Sequence, residues 1–296
     1  MIRNPVPWPG GARCAASLTL DMDAESILYV AQPERAHRMV AAASMLRYGP
    51  DVAVPRILDT YAHYGIRQTF FVPGWCAERY PYAVEAMLRA GHEVSAHGYL
   101  HEPPNTLGDE DERRCLERAM DALVRIMGEK PAGWRAPVYQ FSHRSAALLI
   151  EHGFAYDASL MGDDVPYLID TPRGRLLELP SQWGMDDWPP FLHSSELGLE
   201  MPIQSAARAW EGWWEEFEAM CEYGGLWVPV WHPFLSGRLA RWRTTHRMIG
   251  RMLETGRVWF APMREIAAHV QRCITAGSWV PRIDAYPPAE NTSRRP

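Results

Sequence analysis

The residues of this chain whose types and spacing could do chemistry are few. They are Asp21 and Asp23, one residue apart; His97 and His101, four apart; and His232, set between Trp231 and Pro233. Two imidazoles and one carboxylate suit zinc with a position left open for water. The same trio is also the facial set of non-haem iron enzymes, so ligand type alone does not select the metal. Histidines at i and i+4 on a helical turn meet on one side and can reach one ion. Aspartates separated by one residue on a strand share a face, so one can bind the ion while the other accepts a proton. Arg135 could fix that second carboxylate through a bidentate pair. His232, shielded by its neighbours, suits a general acid that protonates a departing nitrogen. A metalloprotease is a poor fit, because one residue too many separates His92 and His97 for H-E-x-x-H.

Each of these residues has a plainer role when taken singly. With 11 histidines in 296 residues, one H-x-x-x-H arises easily by coincidence. A pair of aspartates can cap a turn, an isolated arginine can sit in a surface ion pair, and a single histidine can fill a core. The chemical reading gains weight only from where the residues fall among the elements. Period and breakers predict strands over 15–21, 67–72, 93–97, 133–136, 155–158, 176–179, 226–231 and 258–261. Helices are expected over 54–64, 82–90, 109–127, 143–151, 205–223, 239–254 and 264–273. This alternation implies an α/β fold of parallel strands joined by helical crossovers, in a barrel or a distorted one rather than an open doubly wound sheet. No G-x-G-x-x-G dinucleotide turn follows the first strand. Asp21, Asp23, His97, Arg135 and His232 then all lie at strand ends that open on one face of a barrel.

Composition narrows the partners. The formal charge of −6 gives no excess of basic residues for a phosphate-binding surface, so nucleic acid is not expected. Five widely spaced cysteines without a C-x-x-C pair argue against a disulfide framework and a zinc ribbon, and fit reduced thiols in a cytoplasm. The proline-broken N-terminus carries no apolar stretch of the signal-peptide kind, and no segment is apolar for long enough to span a membrane. A soluble, cytoplasmic protein is the expectation. A single domain over 15–275 is expected, with an N-terminal extension over 1–14 and an extended, partly disordered tail over 276–296. Residues 25–49 find no place in a β/α unit and read as a loop insertion over the site or at an oligomer contact. The apolar run 39–46 favours a homo-oligomer.

The ordered stretches Leu18-Thr19-Leu20-Asp21-Met22-Asp23, Gln68-Thr69-Phe70-Phe71-Val72, His97-Gly98-Tyr99-Leu100-His101, Trp134-Arg135-Ala136-Pro137 and Trp231-His232-Pro233 together resemble the polysaccharide deacetylase (NodB-homology, carbohydrate esterase 4) superfamily. The resemblance spans nearly the whole expected domain. It implies a distorted (β/α)7 TIM-like barrel and metal-assisted removal of an acyl group from nitrogen. By motif it implies Asp21 as catalytic base, Asp23, His97 and His101 as metal ligands with zinc the first choice, Arg135 as the residue orienting the base, and His232 as general acid. An aspartate of the pair Asp186-Asp187 would hold His232 protonated. Met22 between the two aspartates, with Ala24-Glu25 following, departs from the polysaccharide-active pattern. This variant pattern, with Tyr48-Gly49-Pro50 and Val54-Pro55-Arg56-Ile57-Leu58 before the second strand, resembles the intracellular branch that contains peptidoglycan-deacetylase-like proteins, cyclic imide hydrolases and allantoinase-like enzymes, some of which are thought to act without metal.

The expected activity is therefore hydrolysis of a non-peptide C–N bond in an N-acyl sugar or a small cyclic amide or imide, with a small molecule or oligosaccharide as partner. Trp75, Trp183, Trp188 and Trp231 near strand ends could wall a pocket or stack on a sugar, and Asp187 is counted with that wall. An iron oxygenase would use the same ligand trio but gives no role to Asp21 and His232. A non-catalytic sugar-binding protein would explain the tryptophans but not the acid and base.

Overall fold

A computed structural model describes residues 1–285 of the chain. In chain order the strands are β1 (Cys14–Ala16), β2 (Thr19–Asp21), β3 (Thr69–Val72), β4 (Glu93–Ala96), β5 (Gly133–Trp134), β6 (Tyr156–Asp157), β7 (Tyr167–Thr171), β8 (Gly174–Glu178), β9 (His193–Ser194), β10 (Leu199–Glu200), β11 (Leu226–Trp227), β12 (Val230–Trp231), β13 (Val258–Phe260) and β14 (Ile283–Ala285). β12, β2, β3, β4, β5, β6 and β8 lie side by side and all run parallel, while β11 continues into β12 and β1 into β2. Seven parallel strands with helices outside them make the expected distorted (β/α)7 barrel.

The first strand changes neighbours halfway. β1 pairs with β11 and β13, whereas β2 pairs with β12 and β3. Ser17 and Leu18 therefore fall between two ladders. The Gln68 side chain supplies an acceptor to Leu18 N–H at 2.6 Å, and Ser17 N–H donates to the Trp227 carbonyl at 3.1 Å. With those backbone groups satisfied, the bend costs little and delivers Asp21 to the barrel mouth.

The second distortion is a seam. β8 and β11 do not pair, and the gap is bridged by the Ser181 hydroxyl donating to the Val228 carbonyl at 2.7 Å and by Asp187 N–H donating to Val230 O at 3.2 Å. One isolated parallel bridge joins Asp186 to Val230. The chain crossing this gap carries Trp183, Asp186, Asp187 and Trp188 to the same end of the barrel as His232.

Helices form where pattern and termini agree. The helix Val54–Tyr64 starts with proline in its first turn and stops at Gly65. Asp109–Met127 carries four acidic residues in its first turn, where the helix dipole favours negative charge. Ser205 caps Ala206–Tyr223 by accepting from Arg208 N–H. An aromatic layer packs beneath these helices: Trp210, Trp213, Trp227 and Trp231 each lie 4.9–6.3 Å from at least two of the others, outside β11 and β12. Inside the barrel, Glu93 is buried and accepts from Thr69, Ser95 and Tyr156 hydroxyls and from Arg264 N–H. Tyr156 can cross the barrel to reach it because residue 133 is glycine: a Cβ there would stand 1.9 Å from the Tyr156 ring.

Three expectations change. Residues 25–49 are not a loop: they form helices Ser26–Ala31 and Val40–Tyr48 joined through a 3-10 turn, and Met39, Ala42 and Leu46 are buried within the chain. Only part of the apolar run packs inward, and Val40 is 73% exposed. The strand expected at 176–179 is one arm of a hairpin, with Tyr167–Thr171 antiparallel to it. The tail is ordered as far as Ala285: Trp279 is buried with its indole on the Asn4 carbonyl, and β14 pairs with β7. Residues 286–296 of that tail lie outside the described residues. Among the described residues no helix is long and apolar enough to cross a membrane.

His92 gives the fold a pH signature. It is buried against Tyr61 and Phe70, and its Nδ1 accepts from Gln68 N–H at 3.0 Å. Burial, helped by Arg67, lowers its pKa to about 4. The unfolded chain takes up this proton near pH 6.5 and the folded chain does not, so stability is full above pH 6.5 and falls as the pH drops toward 4. The expected loss across that window is on the order of 2–3 kcal/mol. Urea midpoints measured from pH 7 to pH 4 should fall more steeply for the wild type than for His92→Gln; parallel curves would show that His92 does not contribute.

Candidate active site

Asp21 ends β2, and Asp23 follows two residues later, after the chain has left the ladder. Both carboxylates turn inward, as their spacing requires: His97 Nε2 stands 3.6 Å from Asp21 Oδ2 and 3.4 Å from Asp23 Oδ1. His97 follows β4 and holds its Nδ1 2.8 Å from the Arg135 carbonyl. With a proton on Nδ1 donated to that carbonyl, Nε2 presents its lone pair to the aspartates.

His101 arrives differently from the sequence expectation. Residues 97–101 are not helical; Gly98 and His101 both have positive φ, 71° and 70°. Glu102 ties the turn by accepting from Tyr99 and Leu100 N–H at 3.2 and 2.7 Å. A side chain at 98 would also press on Pro137, whose Cγ would be 3.0 Å from its Cβ. The left-handed turn, not a helical face, sets the two imidazoles 4.9 Å apart and puts His101 Nε2 3.4 Å from Asp23 Oδ2.

Arg135 is fully buried beneath Asp21. Its Nη1 donates to Asp21 Oδ1 at 2.6 Å and to Thr19 Oγ1 at 2.9 Å, its Nε donates to the Ala158 carbonyl at 3.0 Å, and its guanidinium lies 4.0 Å over Phe71. The pair is single rather than the expected bidentate one: Nε goes to the next strand's carbonyl, and Nη2 has no partner among the described residues. Asp21 Oδ2 is thus left facing the cleft. On the other side, His232 Nε2 is 3.3 Å from Asp23 Oδ2, and its Nδ1 contacts Asp187 Oδ1 at 2.6 Å. Asp187 Oδ2 is held by His232 N–H, Ser236 N–H and the Ser236 hydroxyl.

These charges set one another. Burial alone would raise the Asp23 carboxyl, but His101, His232 and His97 outweigh it and hold it well below the usual carboxylate range. Burial likewise opposes charge on His232, yet Asp187 and Asp23 overcome it and raise its pKa well above the usual value. For His97 the carboxylates of Asp21 and Asp23 again outweigh burial, and its pKa rises. His101 goes the other way: burial, with His97 and His232 nearby, lowers it to about 4.

Asp23 is the test of whether a metal fits. Both its oxygens are buried without a hydrogen-bond partner, and its carboxylate, His97 and His101 offer ligand atoms all within 4.8 Å of one another. A buried carboxylate facing two imidazole nitrogens and no amide donor is a donor set that suits a divalent cation.

A narrow cleft opens above this cluster, walled by Val138, Tyr139, Trp183, Asp186 and Trp188. Trp183 and Trp188 line it as expected, Trp188 lying 5.4 Å from the His232 ring. Trp231 does not: alternation along the strand that turns His232 inward turns Trp231 outward into the tryptophan layer, fully buried. Trp75 packs on Tyr29 and donates its N–H to Tyr99 O, outside the cleft wall. Asp187 is fully buried behind His232 and offers no surface to a substrate. Tyr139 and Asp186 were not singled out for the wall by sequence reasoning; the run Arg135-Ala136-Pro137-Val138-Tyr139, an aromatic just past the strand end, is the signal that points to Tyr139.

The sequence matches the polysaccharide deacetylase family over residues 42–156. Among curated proteins, a peptidoglycan deacetylase of Helicobacter pylori is 29% identical over 195 residues, covering 58% of this chain and 67% of that protein. A solved structure of a Mycobacterium smegmatis protein assigned as a polysaccharide deacetylase is 39% identical, covers 97% of this chain and 99% of its own, and superposes with a TM-score of 0.90. The structure of the Puue allantoinase is 26% identical, covers 90% and 94% of the two chains, and gives a TM-score of 0.78.

A cation bound to Asp23 should stabilise the folded state by mass action. Chelator-treated protein titrated with Zn²⁺, Co²⁺ or Mn²⁺ should gain roughly 2.7 kcal/mol at about 100 times Kd, read as a rise of several degrees in Tm. Asp23→Ala should abolish the rise, whereas an equal rise in that variant would place the cation elsewhere.

Proposed function

The chain belongs to the polysaccharide deacetylase family, hydrolases of carbon–nitrogen bonds other than peptide bonds, and on that premise we propose that it hydrolyses a small cyclic amide, imide or ureide with the aid of a divalent metal, zinc first. The observation that carries the reading is the placement of a carboxylate held by Arg135 and an imidazole held by Asp187 on opposite sides of the Asp23 cluster. The catalytic domain is assigned to residues 15–275. Asp23, His97 and His101 would hold the ion. When bound, it supplies Lewis acidity, lowering the pKa of water and drawing charge from a carbonyl.

The protein's own groups divide the remaining work. Asp21 Oδ2 accepts a proton from the attacking water, while Arg135 fixes the orientation of that carboxylate. The water oxygen bonds to the carbonyl carbon and the C–N bond breaks. His232 Nε2 donates its proton to the departing nitrogen, and Asp187 both fixes the ring and favours the charged imidazole that must be ready to give the proton. An oxygenase reading leaves both held pairs without work. A pure binding reading leaves the buried Arg135–Asp21 pair unexplained.

The aromatic lining of the cleft supports a small, flat substrate. Tyr139, Trp183 and Trp188 wall a narrow cleft over the cluster, which suits a five- or six-membered ring rather than several sugar units. Deacylation of an amino sugar is the competing reading; the exposed indole of Trp183, 44% accessible, offers a face on which a sugar could stack.

The test is a hydrolysis panel of succinimide, hydantoin, allantoin and N-acetylated chitooligosaccharides with metal-loaded protein. Ring opening without acetate release is expected; acetate release from the oligosaccharides alone would refute the small-substrate reading. Asp21→Asn should lower kcat by about 10²–10⁴, with the metal-dependent rise in Tm retained. Normal turnover in that variant would remove Asp21 as the base.

A further inference from the structure

Two adjacent acids cross the seam, and the reaction above uses only one. Asp187 lies behind His232. Asp186 turns to the other side and lines the cleft with Asp21, His97, His101 and His232. Its Oδ1 accepts from Trp188 N–H at 2.7 Å and its Oδ2 from the Tyr139 hydroxyl. It is 3% exposed, in a cleft that already holds Asp21 and Asp23, and burial together with Asp187 pushes its pKa up to about 7 despite the opposing pull of His232. A third buried acid there is electrostatically unfavourable and needs a reason.

Tyr139 reaches this acid over an unusual backbone. Val138 and Tyr139 have consecutive positive φ values of 55° and 58°, a region that β-branched residues rarely adopt. The turn is pinned by Tyr139 N–H on the Ala136 carbonyl and Gln140 N–H on the Pro137 carbonyl. Beside the pair, the buried Trp188 Nε1–H has no partner. The cleft wall thus combines an acceptor, Asp186, and a hydroxyl that can accept, Tyr139, with the ring of Trp188, whose Nε1–H has no partner among the described residues.

We propose that Asp186, Tyr139 and Trp188 are the specificity-determining residues of this site, reading a second N–H/C=O edge on the substrate, one that is not cleaved. The inference rests on the hydrolase reading above. The carbonyl and nitrogen of the scissile amide are occupied by the catalytic set. An N-acetyl group offers no further amide edge, and a simple imide offers a second carbonyl without a second N–H. A cyclic ureide offers both: its remaining N–H donates to Asp186 and Tyr139, and its remaining carbonyl accepts from the Trp188 indole.

The experiment compares hydantoin with 1-methylhydantoin, which lacks that N–H, and with succinimide, using wild type, Asp186→Asn and Tyr139→Phe. Wild type is expected to show a KM for hydantoin at least about tenfold below that for the other two. Asp186→Asn should erase the difference by raising the hydantoin KM more than it lowers kcat. Tyr139→Phe, which loses only a hydroxyl, should move it the same way by less. If wild type opens hydantoin and 1-methylhydantoin with equal KM, or Asp186→Asn keeps the preference, the assignment of these residues fails while the hydrolase reading stands. If wild type opens none of the rings but releases acetate from chitooligosaccharides, the small-substrate reading fails and takes this inference with it.

Discussion

A carboxylate without exposed surface and without a backbone or hydroxyl donor is among the costliest groups a folded chain can hold, and among the described residues Asp23 is such a group, faced only by imidazoles. Its charge is tolerable only where other groups bring positive character to within bonding reach, and the barrel is arranged to do so. Imidazoles from beyond β12, which adjoins the strand leading to Asp23, and from beyond β4, two strands away on the other side, converge on its two oxygens at 3.3–3.4 Å. Parallel strands are the economical way to achieve this convergence, since they place the ends of β2, β4 and β12 on one rim. The charges beyond the cluster follow from it. Arg135 offsets Asp21 on one flank, and Asp187 holds the positive His232 on the other, so Asp21 and His232 each have a partner of opposite sign.

The irregularities of the barrel serve the same end. A regular eighth unit between β8 and β11 would close the seam with ladder hydrogen bonds and leave no room for the crossing chain. With the seam bridged instead by side chains and one isolated pairing, residues 183–188 run across the rim, giving Asp187 to His232 and Trp188 to the cleft wall. The bend at Ser17-Leu18 works comparably at the first strand. A single glutamine side chain replaces a missing ladder bond, and the strand is free to serve two sets of neighbours.

Much of this was legible in the residues themselves. Polar side chains at the ends of apolar strand-like runs identified Asp21, Asp23, His97, Arg135 and His232 as one cluster, because parallel strands leave few other places for them. The helices at 109–127 and 239–254 agree with their predicted limits because termini and period coincide there. What escaped depends on contacts distant in sequence or on backbone shape. The His97–His101 approach read as helical because spacing alone does not distinguish a helical turn from a left-handed one, although Gly98 was the available sign. Trp231 was taken for a wall residue although its neighbour His232 already claimed the inward side. Asp186 and Tyr139 meet across 47 residues at a seam whose existence no local pattern announces.

The pairing of β14 with β7 has a consequence for how the protein behaves in solution. β7 is the outer arm of a hairpin, and Ile283–Ala285 runs along its free side, with Leu168 N–H donating to the Arg282 carbonyl at 2.9 Å. Three residues near the end of the described chain thereby cover main-chain groups that would otherwise invite a strand from another molecule. Among the described residues the short strand replaces the five-residue edge of β7 with one of three, and a chain trimmed before Arg282 would present the longer edge again.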